Sequence, residues 1–237
     1  MSTLGNIYLA MEKDKSELER VLEIFHKAKQ LKYLYDEKNK LVPIDRIEKI
    51  GKGVCYDHAR YQSNLAKKYK LTSRCFLFLS YIDGKLEYDP DVLGCGHADC
   101  FIFADGKWYF PDTVGSRKQL FCIEAKDFEY AIAGSLVLRT QQNQHTNLLV
   151  GASSKDITST VASNMVNYFN KVKDRVVEEC YEIPDFYDKK FDGMTYKKLA
   201  EYVSSHYSPY VFDDKVLELI RKDSSLDKVW SIYTGVA

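Results

Sequence analysis

The first clear pattern of apolar and polar positions in the chain is that of an amphipathic helix. Between Ser16 and Lys38 apolar residues recur at steps of three and four, which places them in one stripe along a helix. Ser16 followed three positions later by Glu19 is typical of a capping box at a helix start. We interpret this segment as a packing helix.

A second helix is predicted to begin at Cys55 and to end at Lys70. It follows a turn that contains Gly51 and Gly53, which let the backbone bend sharply. The residues expected to face the core are Ala59, Tyr61 or Gln62, Leu65, Ala66 and Tyr69.

Two pairs of strands follow, joined by the dipeptides Asp83-Gly84 and Asp105-Gly106. An Asp-Gly dipeptide between apolar or alternating runs predicts a β-hairpin. Two hairpins after one helix predict an antiparallel sheet with that helix packed on it, and therefore an α+β fold. The predicted strands are 74–82, 85–89, 98–104 and 107–112.

The second half of the chain is predicted to be mainly helical, with an exposed polar loop at 139–147. We expect a core at 1–140 that includes the first helix, and a helical C-terminal extension at 141–237 packed on it; a single domain is the alternative. The predicted helices are 124–138, 156–181, 195–207, 214–221 and 226–233.

Composition narrows the classes of partner. Lysine plus arginine equals aspartate plus glutamate at 34 each, so the formal net charge is zero and no overall basic field attracts nucleic acid or an anionic membrane. The first residues lack the pattern of a secretory signal, and no segment approaches the roughly 20 apolar residues of a membrane span. The six cysteines are spread too thinly for a disulfide scaffold. We expect a cytoplasmic protein that binds neither nucleic acid nor membranes. Export by a route that needs no signal peptide is the alternative, and we leave the oligomeric state open.

Three residues of complementary chemistry lie at the ends of these predicted elements. Cys55 opens the second helix, His97 precedes a strand, and Asp112 closes the next strand. A thiol attacks as its thiolate, which the positive end of a helix dipole and a neighbouring imidazolium both favour. The Cys55 backbone N–H has no intrahelical partner and can supply half of an oxyanion hole. We interpret Cys55, His97 and Asp112 as a catalytic triad with a thiol nucleophile.

Strand register supports the pairing of His97 with Asp112. If Asp105-Gly106 is a two-residue turn, paired residue numbers sum to 211, so that His97 faces Val114 and Asp99 faces Asp112. His97 and Asp112 are then diagonal neighbours on one strand face, roughly 7–8 Å apart. A carboxylate in that position can orient an imidazole and stabilise its charged form. A one-residue bulge would break this register.

Residues 53–113 resemble the core of the transglutaminase-like superfamily, a branch of the papain-like thiol enzymes. The family pattern has a Gly-x-Cys opening a helix, a His-Ala opening a strand, and an aspartate that closes the strand after an Asp-Gly-x-Trp hairpin. The matching residues are Gly53-Val-Cys55 with Asp57 and Ala59, Gly96-His97-Ala98, Asp105-Gly106-Lys107-Trp108 and Pro111-Asp112-Thr113.

This resemblance implies a papain-like core in which the helix that bears the cysteine packs on a small antiparallel sheet, with further helices from both chain ends. It implies that Cys55 is the nucleophile, His97 the general base and acid, and Asp112 the orienting carboxylate, with no cofactor. Attack on an amide carbonyl of a peptide or protein gives a thioester. We rank hydrolysis of the cysteine-peptidase type first, glutamine transamidation or deamidation second, and chemistry of the peptide N-glycanase type third.

The chain departs from the family pattern beside the triad. Asp99 and Cys100 stand where many relatives have an aromatic residue, and Lys52 stands where an arginine is common. These positions concern the substrate groove and leave the triad intact. The second oxyanion donor in such enzymes is a side chain upstream of the cysteine, and the candidates by residue type are Gln30, Tyr33 and Tyr35.

Two alternatives to a catalytic triad are a metal site and a protein without catalytic activity. Cys95, His97 and Cys100, with Cys55 and His58, are all ligands that zinc accepts. Structural zinc sites usually have two closely spaced ligand pairs, however, and the step of three from His97 puts Cys100 on the opposite strand face. The second alternative is a non-catalytic interaction module that retains the fold.

Overall fold

The computed structural model describes residues 15–34, 40–86, 96–114, 118–134, 176–216, 218 and 231–232. Helices and an antiparallel sheet are both present, so the predicted α+β class is confirmed. The helices are α1 (Glu17–Ala28), α2 (Ile47–Ile50), α3 (Cys55–Lys68), α4 (128–134) and α5 (Tyr196–His206). The strands are β1 (Lys32–Tyr33), β2 (Lys52–Gly53), β3 (Thr72–Ile82), β4 (Lys85–Leu86), β5 (Gly96–Ala104), β6 (Lys107–Asp112), β7 (Gln119–Glu124), β8 (Val176–Glu182) and β9 (Ser231–Ile232).

The sheet is built around β3. Residues 72–79 of β3 pair with β5, and residues 76–82 pair with β8, both in antiparallel orientation. Because the two partners share residues 76–79, they must lie on opposite edges of β3. The sheet continues from β5 through β6 and β7 to β9, and β4 pairs with the end of β3.

The two predicted Asp-Gly hairpins are confirmed. Asp83 and Gly84 have φ of 51° and 73°, and Asp105 and Gly106 have φ of 48° and 77°. Positive φ at both central residues is the requirement of a two-residue hairpin turn whose twist matches that of the strands. The β5–β6 pairs nearest the turn run from Ala104↔Lys107 to Ile102↔Tyr109, which is the predicted register.

Each face of the sheet is covered by its own apolar core. Cys100 and Ile102 of β5 belong to the core on the side of α3. Phe76 and Phe101 belong to the core on the other side, where Phe128 of α4 packs edge-on against Phe101 with ring centroids 5.3 Å apart. Alternation of side chains along β5 therefore separates even-numbered residues, which face α3, from odd-numbered residues, which face α4.

The turn before α3 depends on two glycines for different reasons. Gly51 has a φ of 67° and ends α2 in the left-handed conformation. A Cβ at Gly53 would lie only 2.5 Å from the Cβ of Asp57. The close approach exists because the buried Asp57 carboxylate accepts a hydrogen bond from the Val54 N–H at 3.1 Å, which anchors the start of the helix. The predicted start of α3 at Cys55 is confirmed.

A fully buried arginine holds α3 to the C-terminal half of the chain. Arg60 forms an ion pair with Asp192 at 2.6 Å. Its guanidinium also donates hydrogen bonds to the carbonyl oxygens of Val42 at 2.8 Å, Phe186 at 3.1 Å and Asp188 at 3.2 Å. These bonds satisfy the buried charge and fix the helix that carries Cys55 against residues 186–192.

The first helix is shorter than the pattern indicates. The capping box of Ser16 and Glu19 is present, but the helix ends at Ala28 instead of Lys38. Lys32–Tyr33 pairs in parallel with Lys52–Gly53. The prediction for residues 29–34 is therefore wrong, because pairing with the turn before α3 outweighs local helical periodicity.

The helical prediction for the C-terminal half is partly wrong. Residues 176–181 form most of β8, and residues 231–232 form β9, so the described part of the extension contributes strands to the same sheet as the core. The sequence pattern predicts no regular element for β7 except at Glu124, where the helix predicted at 124–138 begins. The helix predicted at 195–207 is confirmed as α5, with the Thr195 side chain capping its start. Residues 139–147 and 156–175 lie outside the described residues, and the boundary at 140/141 stays a prediction.

Candidate active site

The first turn of α3 and the start of β5 lie at the same end of the sheet. The chain reverses between α3 and β3, and β5 is antiparallel to β3, so α3 and β5 run in the same direction. Contact at this end is close, because a Cβ at Gly96 would collide with the hydroxyl of Tyr56. Cys55 and His97 are the chain neighbours of these two residues.

The His97 ring contacts the carboxylate of Asp99, two residues along the same strand, and this contact is an ion pair when the imidazole is protonated. The distance from His97 Nε2 to Asp99 Oδ1 is 2.8 Å, and the side chains are 19% and 6% exposed. Side chains two apart on a strand point to the same face, so the contact follows from the extended backbone of β5. The sequence places Asp99 opposite Asp112 in the hairpin register but gives it no role in the triad.

Asp112 lies on the same sheet face as His97, as predicted. Phe110 of β6 stacks on Phe101 of β5 with ring centroids 5.1 Å apart, and alternation puts Asp112 and His97 on that same side. The Asp112 carboxylate accepts a hydrogen bond from the Val114 N–H at 3.2 Å. His97, Asp99 and Asp112 line one small cavity of about 10 Å³, room for about one water molecule.

Cys55 lies on the α3 side of the sheet. It is 4% exposed and belongs to the core that contains Ala98 and Cys100. His97 belongs by alternation to the opposite face, but the small cavity is also lined by His58 from α3, three residues after Cys55. Side chains from both faces therefore meet at this end of the β5–β6 pair.

A buried network from α3 holds the end of β6. Gln62 Nε2 donates to the Pro111 carbonyl oxygen at 2.9 Å and to Thr113 Oγ1 at 3.0 Å. His58 Nδ1 lies 2.7 Å from the same Thr113 hydroxyl. These bonds fix the residues on both sides of Asp112 and so set its position relative to the helix of Cys55.

His58 is held neutral in this network. Burial lowers its pKa from 6.5 to about 3, and the nearby Lys118 charge and His97 act in the same direction, whereas the Lys32 backbone opposes them. Its Nε2 atom has no hydrogen-bond partner of normal geometry within the described residues. A neutral imidazole contributes a hydrogen bond to Thr113 without bringing a second cation beside His97.

The structure narrows the candidates for the second oxyanion donor. Gln30 is exposed beyond the end of α1, and Tyr35 lies outside the described residues. Tyr33 pairs with Gly53, two residues before Cys55, and its ring centroid lies 6.2 Å from that of His58. Of the three, Tyr33 is the candidate that the described residues place beside the start of α3.

The metal alternative finds no support in the described part of the chain. Within it no group of three or more histidine, cysteine, aspartate or glutamate side chains is arranged to hold a metal ion. Cys95 is not among the described residues. Cys100 pairs with Cys75 on the α3 face, opposite to His97, as the spacing predicted.

A larger cavity of about 600 Å³ lies near the other end of α3, where Lys67, Asp185 and Lys189 are among its lining residues. Its lining contains none of Cys55, His97 and Asp112. It is therefore separate from the candidate site.

Three residues that line the small cavity, Asp99, His58 and Gln62, have no role in the triad that the sequence predicts. Asp99 shares a strand face with His97, and His58 shares a helix face with Cys55. The periodicities of strand and helix could therefore have predicted that both residues lie near the triad. Gln62 was expected to be buried, but its bonds to the end of β6 had no sequence signal, because they depend on how α3 packs against the sheet.

Comparison of the chain with family models, curated proteins and solved structures finds no match. Within the residues that the structure describes, no helix has the length and apolar character needed to cross a bilayer.

Proposed function

We propose that this protein is a thiol enzyme with a papain-like, transglutaminase-like core, in which Cys55 attacks an amide carbonyl of a peptide or protein. His97 is the general base and acid, and Asp112 is the orienting carboxylate of the triad. Cysteine-peptidase-type hydrolysis is the first reaction proposed, and glutamine transamidation or deamidation the second. No cofactor takes part in either reaction.

One observation carries this proposal. His97, Asp99 and Asp112 converge on a cavity that His58 also lines, at the end of the sheet where α3 begins with Cys55. A thiol at a helix start, an imidazole and carboxylates are the groups that thiol acyl transfer requires. The resemblance of residues 53–113 to the transglutaminase-like pattern assigns the same roles to these side chains.

The proposed reaction has two steps. In the first, the Cys55 thiolate attacks the carbonyl carbon, a C–S bond forms, the C–N bond breaks, and the His97 imidazolium gives its proton to the leaving amine. In the second, His97 takes a proton from water or from an acceptor amine, which attacks the thioester and releases Cys55 as the thiolate. Backbone N–H groups at the start of α3 stabilise the oxyanion in both steps.

The proposal makes two demands on the geometry. Cys55 is 4% exposed, so the substrate carbonyl has to enter beside the first turn of α3. The His97 ring, on the other face of β5, has to reach the thiol around the start of that strand.

Trapping of the acyl-enzyme tests the proposal. The protein is incubated with a mixture of glutamine-containing peptides, quenched in acid and digested, and the Cys55 peptide is weighed by mass spectrometry. We expect an added acyl group on Cys55 that hydroxylamine removes as a hydroxamate. The released products identify the reaction, because proteolysis leaves fragments, deamidation converts an amide to an acid, and transamidation joins an added amine. Cys55→Ala is the control, and equal product formation by that variant would contradict the proposal.

A non-catalytic interaction module is the second candidate, and the low exposure of Cys55 favours it. A module needs no reactive thiol, so Cys55→Ala and His97→Ala would bind the same partners as the wild type. Peptide binding that survives both changes, with no acyl-enzyme under any condition, would favour the module over the enzyme.

A further inference from the structure

We propose that Asp99 is the main positioning residue for His97, ahead of the Asp112 carboxylate that the family pattern assigns to this role. The inference rests on the proposed function and specifies which carboxylate holds the imidazole. In the transglutaminase-like pattern that residues 53–113 resemble, this part of the strand commonly carries an aromatic residue, so the pattern does not assign a carboxylate here.

The geometry of the pair favours Asp99. Its Oδ1 lies 2.8 Å from His97 Nε2, a charge-assisted hydrogen-bond distance, and its side chain is 6% exposed. Both residues are fixed by regular pairing with β3, where Phe78↔His97 and Phe76↔Asp99 are successive same-face pairs. The Asp112 carboxylate accepts a hydrogen bond from the Val114 N–H at the end of its strand.

Charged and titratable groups approach His97 from several elements, and Asp99 is the counter-ion whose contact with the ring is established. From α3, the neutral His58 faces the same cavity. From β6, Asp112 lines that cavity, and from β3 the residue paired with His97 is the uncharged Phe78. Two acids, Asp99 and Asp112, and no lysine or arginine are among the described residues that line the cavity of His97, and Asp99 is in contact with its ring.

This contact determines which ring nitrogen of His97 exchanges a proton with the Cys55 thiol. With Nε2–H donating to Asp99, the proton is fixed on Nε2 in the neutral ring, and Nδ1 is the nitrogen that exchanges a proton with Cys55. The Asp99 carboxylate also stabilises the imidazolium, which in turn favours the thiolate. Asp99 therefore acts on the thiol through His97 and does not itself touch the substrate.

Titration of His97 by NMR tests the inference without a substrate. The ring signals of His97 are assigned with the His97→Gln variant, and the wild type is compared with Asp99→Asn, Asp112→Asn and the matched control Asp105→Asn. Asp105 is an exposed hairpin residue in the left-handed conformation, which asparagine tolerates. Asp99→Glu retains the charge and serves as the conservative variant if Asp99→Asn unfolds.

We expect Asp99→Asn to move the His97 midpoint to lower pH by about one unit or more, because the imidazolium loses an opposite charge in contact. Asp112→Asn is expected to move it less, Asp105→Asn not at all, and Asp99→Glu to retain a midpoint near that of the wild type. An unchanged midpoint in Asp99→Asn, or a larger shift in Asp112→Asn, would overturn the inference.

Alkylation of Cys55 by iodoacetamide at pH 6 separates this inference from the proposed function. If both hold, Asp99→Asn also slows alkylation about tenfold, in proportion to the shift of the His97 midpoint. A His97 midpoint that depends on Asp99, combined with a Cys55 that never reacts in the wild type, would support the ion pair and contradict the proposed enzyme. If Cys55 is reactive and its alkylation rate is the same in the wild type and in Asp99→Asn, the positioning role of Asp99 is contradicted and the proposed enzyme is not.

Discussion

Mild acid is expected to destabilise this protein through His58. The imidazole is buried against Thr113 and its pKa is lowered from 6.5 to about 3, chiefly by burial. In the unfolded chain His58 binds a proton below pH about 6.5, whereas in the folded chain it stays neutral down to about pH 3. Stability contributed by the neutral ring is therefore fully present above pH 6.5 and is lost as the pH falls from 6.5 towards 3.

The size of this loss follows from the two pKa values. At pH 5 the protonated form of His58 outnumbers the neutral form about thirtyfold in the unfolded state, whereas His58 in the folded state is almost entirely neutral. Proton binding therefore favours unfolding by about 2 kcal/mol. The limit near pH 3 is about 5 kcal/mol, which is a large part of the stability of a typical domain.

Urea unfolding at pH 7.5 and pH 5.0 measures the effect. With a denaturant slope of about 2 kcal/mol/M, the wild-type midpoint should fall by about 1 M because of His58. His58→Asn is the matched variant, since an amide can replace Nδ1 in the bond to Thr113 but does not titrate. We expect this variant to lose about 2 kcal/mol less than the wild type between the two pH values. An equal loss in both proteins would refute a neutral, buried His58.

Three further changes are expected to have distinct effects. Arg60→Ala should destabilise the protein by about 3–5 kcal/mol, because it leaves Asp192 and three carbonyl groups without their buried partner. Gly53→Ala should cost about 1–3 kcal/mol through its contact with Asp57, measured by thermal unfolding. Cys55→Ala should abolish turnover and keep the far-UV circular dichroism of the wild type, because the change removes one sulfur atom at the first residue of α3.

Each change has a matched comparison. Lys189→Ala removes an exposed ion pair with Asp45 and should cost only about 0–1 kcal/mol, so an Arg60→Ala effect of that size would contradict the buried clamp. A wild-type midpoint in Gly53→Ala would show that Asp57 does not approach the backbone closely. Residual turnover in Cys55→Ala would exclude Cys55 as the nucleophile.

The elements that the sequence predicted best are those whose signals are local. The two Asp-Gly turns need positive φ at both residues, and the dipeptide meets this need wherever the flanking runs are apolar. The start of α3 at Cys55 and the capping box at Ser16 also depend on residues within one helical turn. From these the α+β class and the hairpin register followed.

The elements that were mispredicted depend on distant partners. Residues 176–181 fall within the helical pattern predicted for 156–181, but they form most of β8. The edge of β3, about 100 residues earlier in the chain, offers backbone groups with which this segment pairs. Arg60 had no sequence signal for burial, since its acceptors lie on residues 42 and 186–192. Asp99 was read as a substitution in a family pattern, although its spacing from His97 already put both side chains on one face.

Selective alkylation of Cys55 tests the central proposal most directly. The protein is treated with iodoacetamide at pH 6 and each cysteine peptide is quantified over time, in the wild type and in His97→Ala. Cys122 is the internal comparator because it is more exposed than Cys55. Burial raises the pKa of the Cys122 thiol, so the comparison with His97→Ala is needed to assign a faster reaction at Cys55 to the imidazole. We expect Cys55 to react at least about tenfold faster than Cys122 and to lose this advantage in His97→Ala. A Cys55 that reacts no faster than Cys122, or equally fast without His97, would contradict the thiol–imidazole pair.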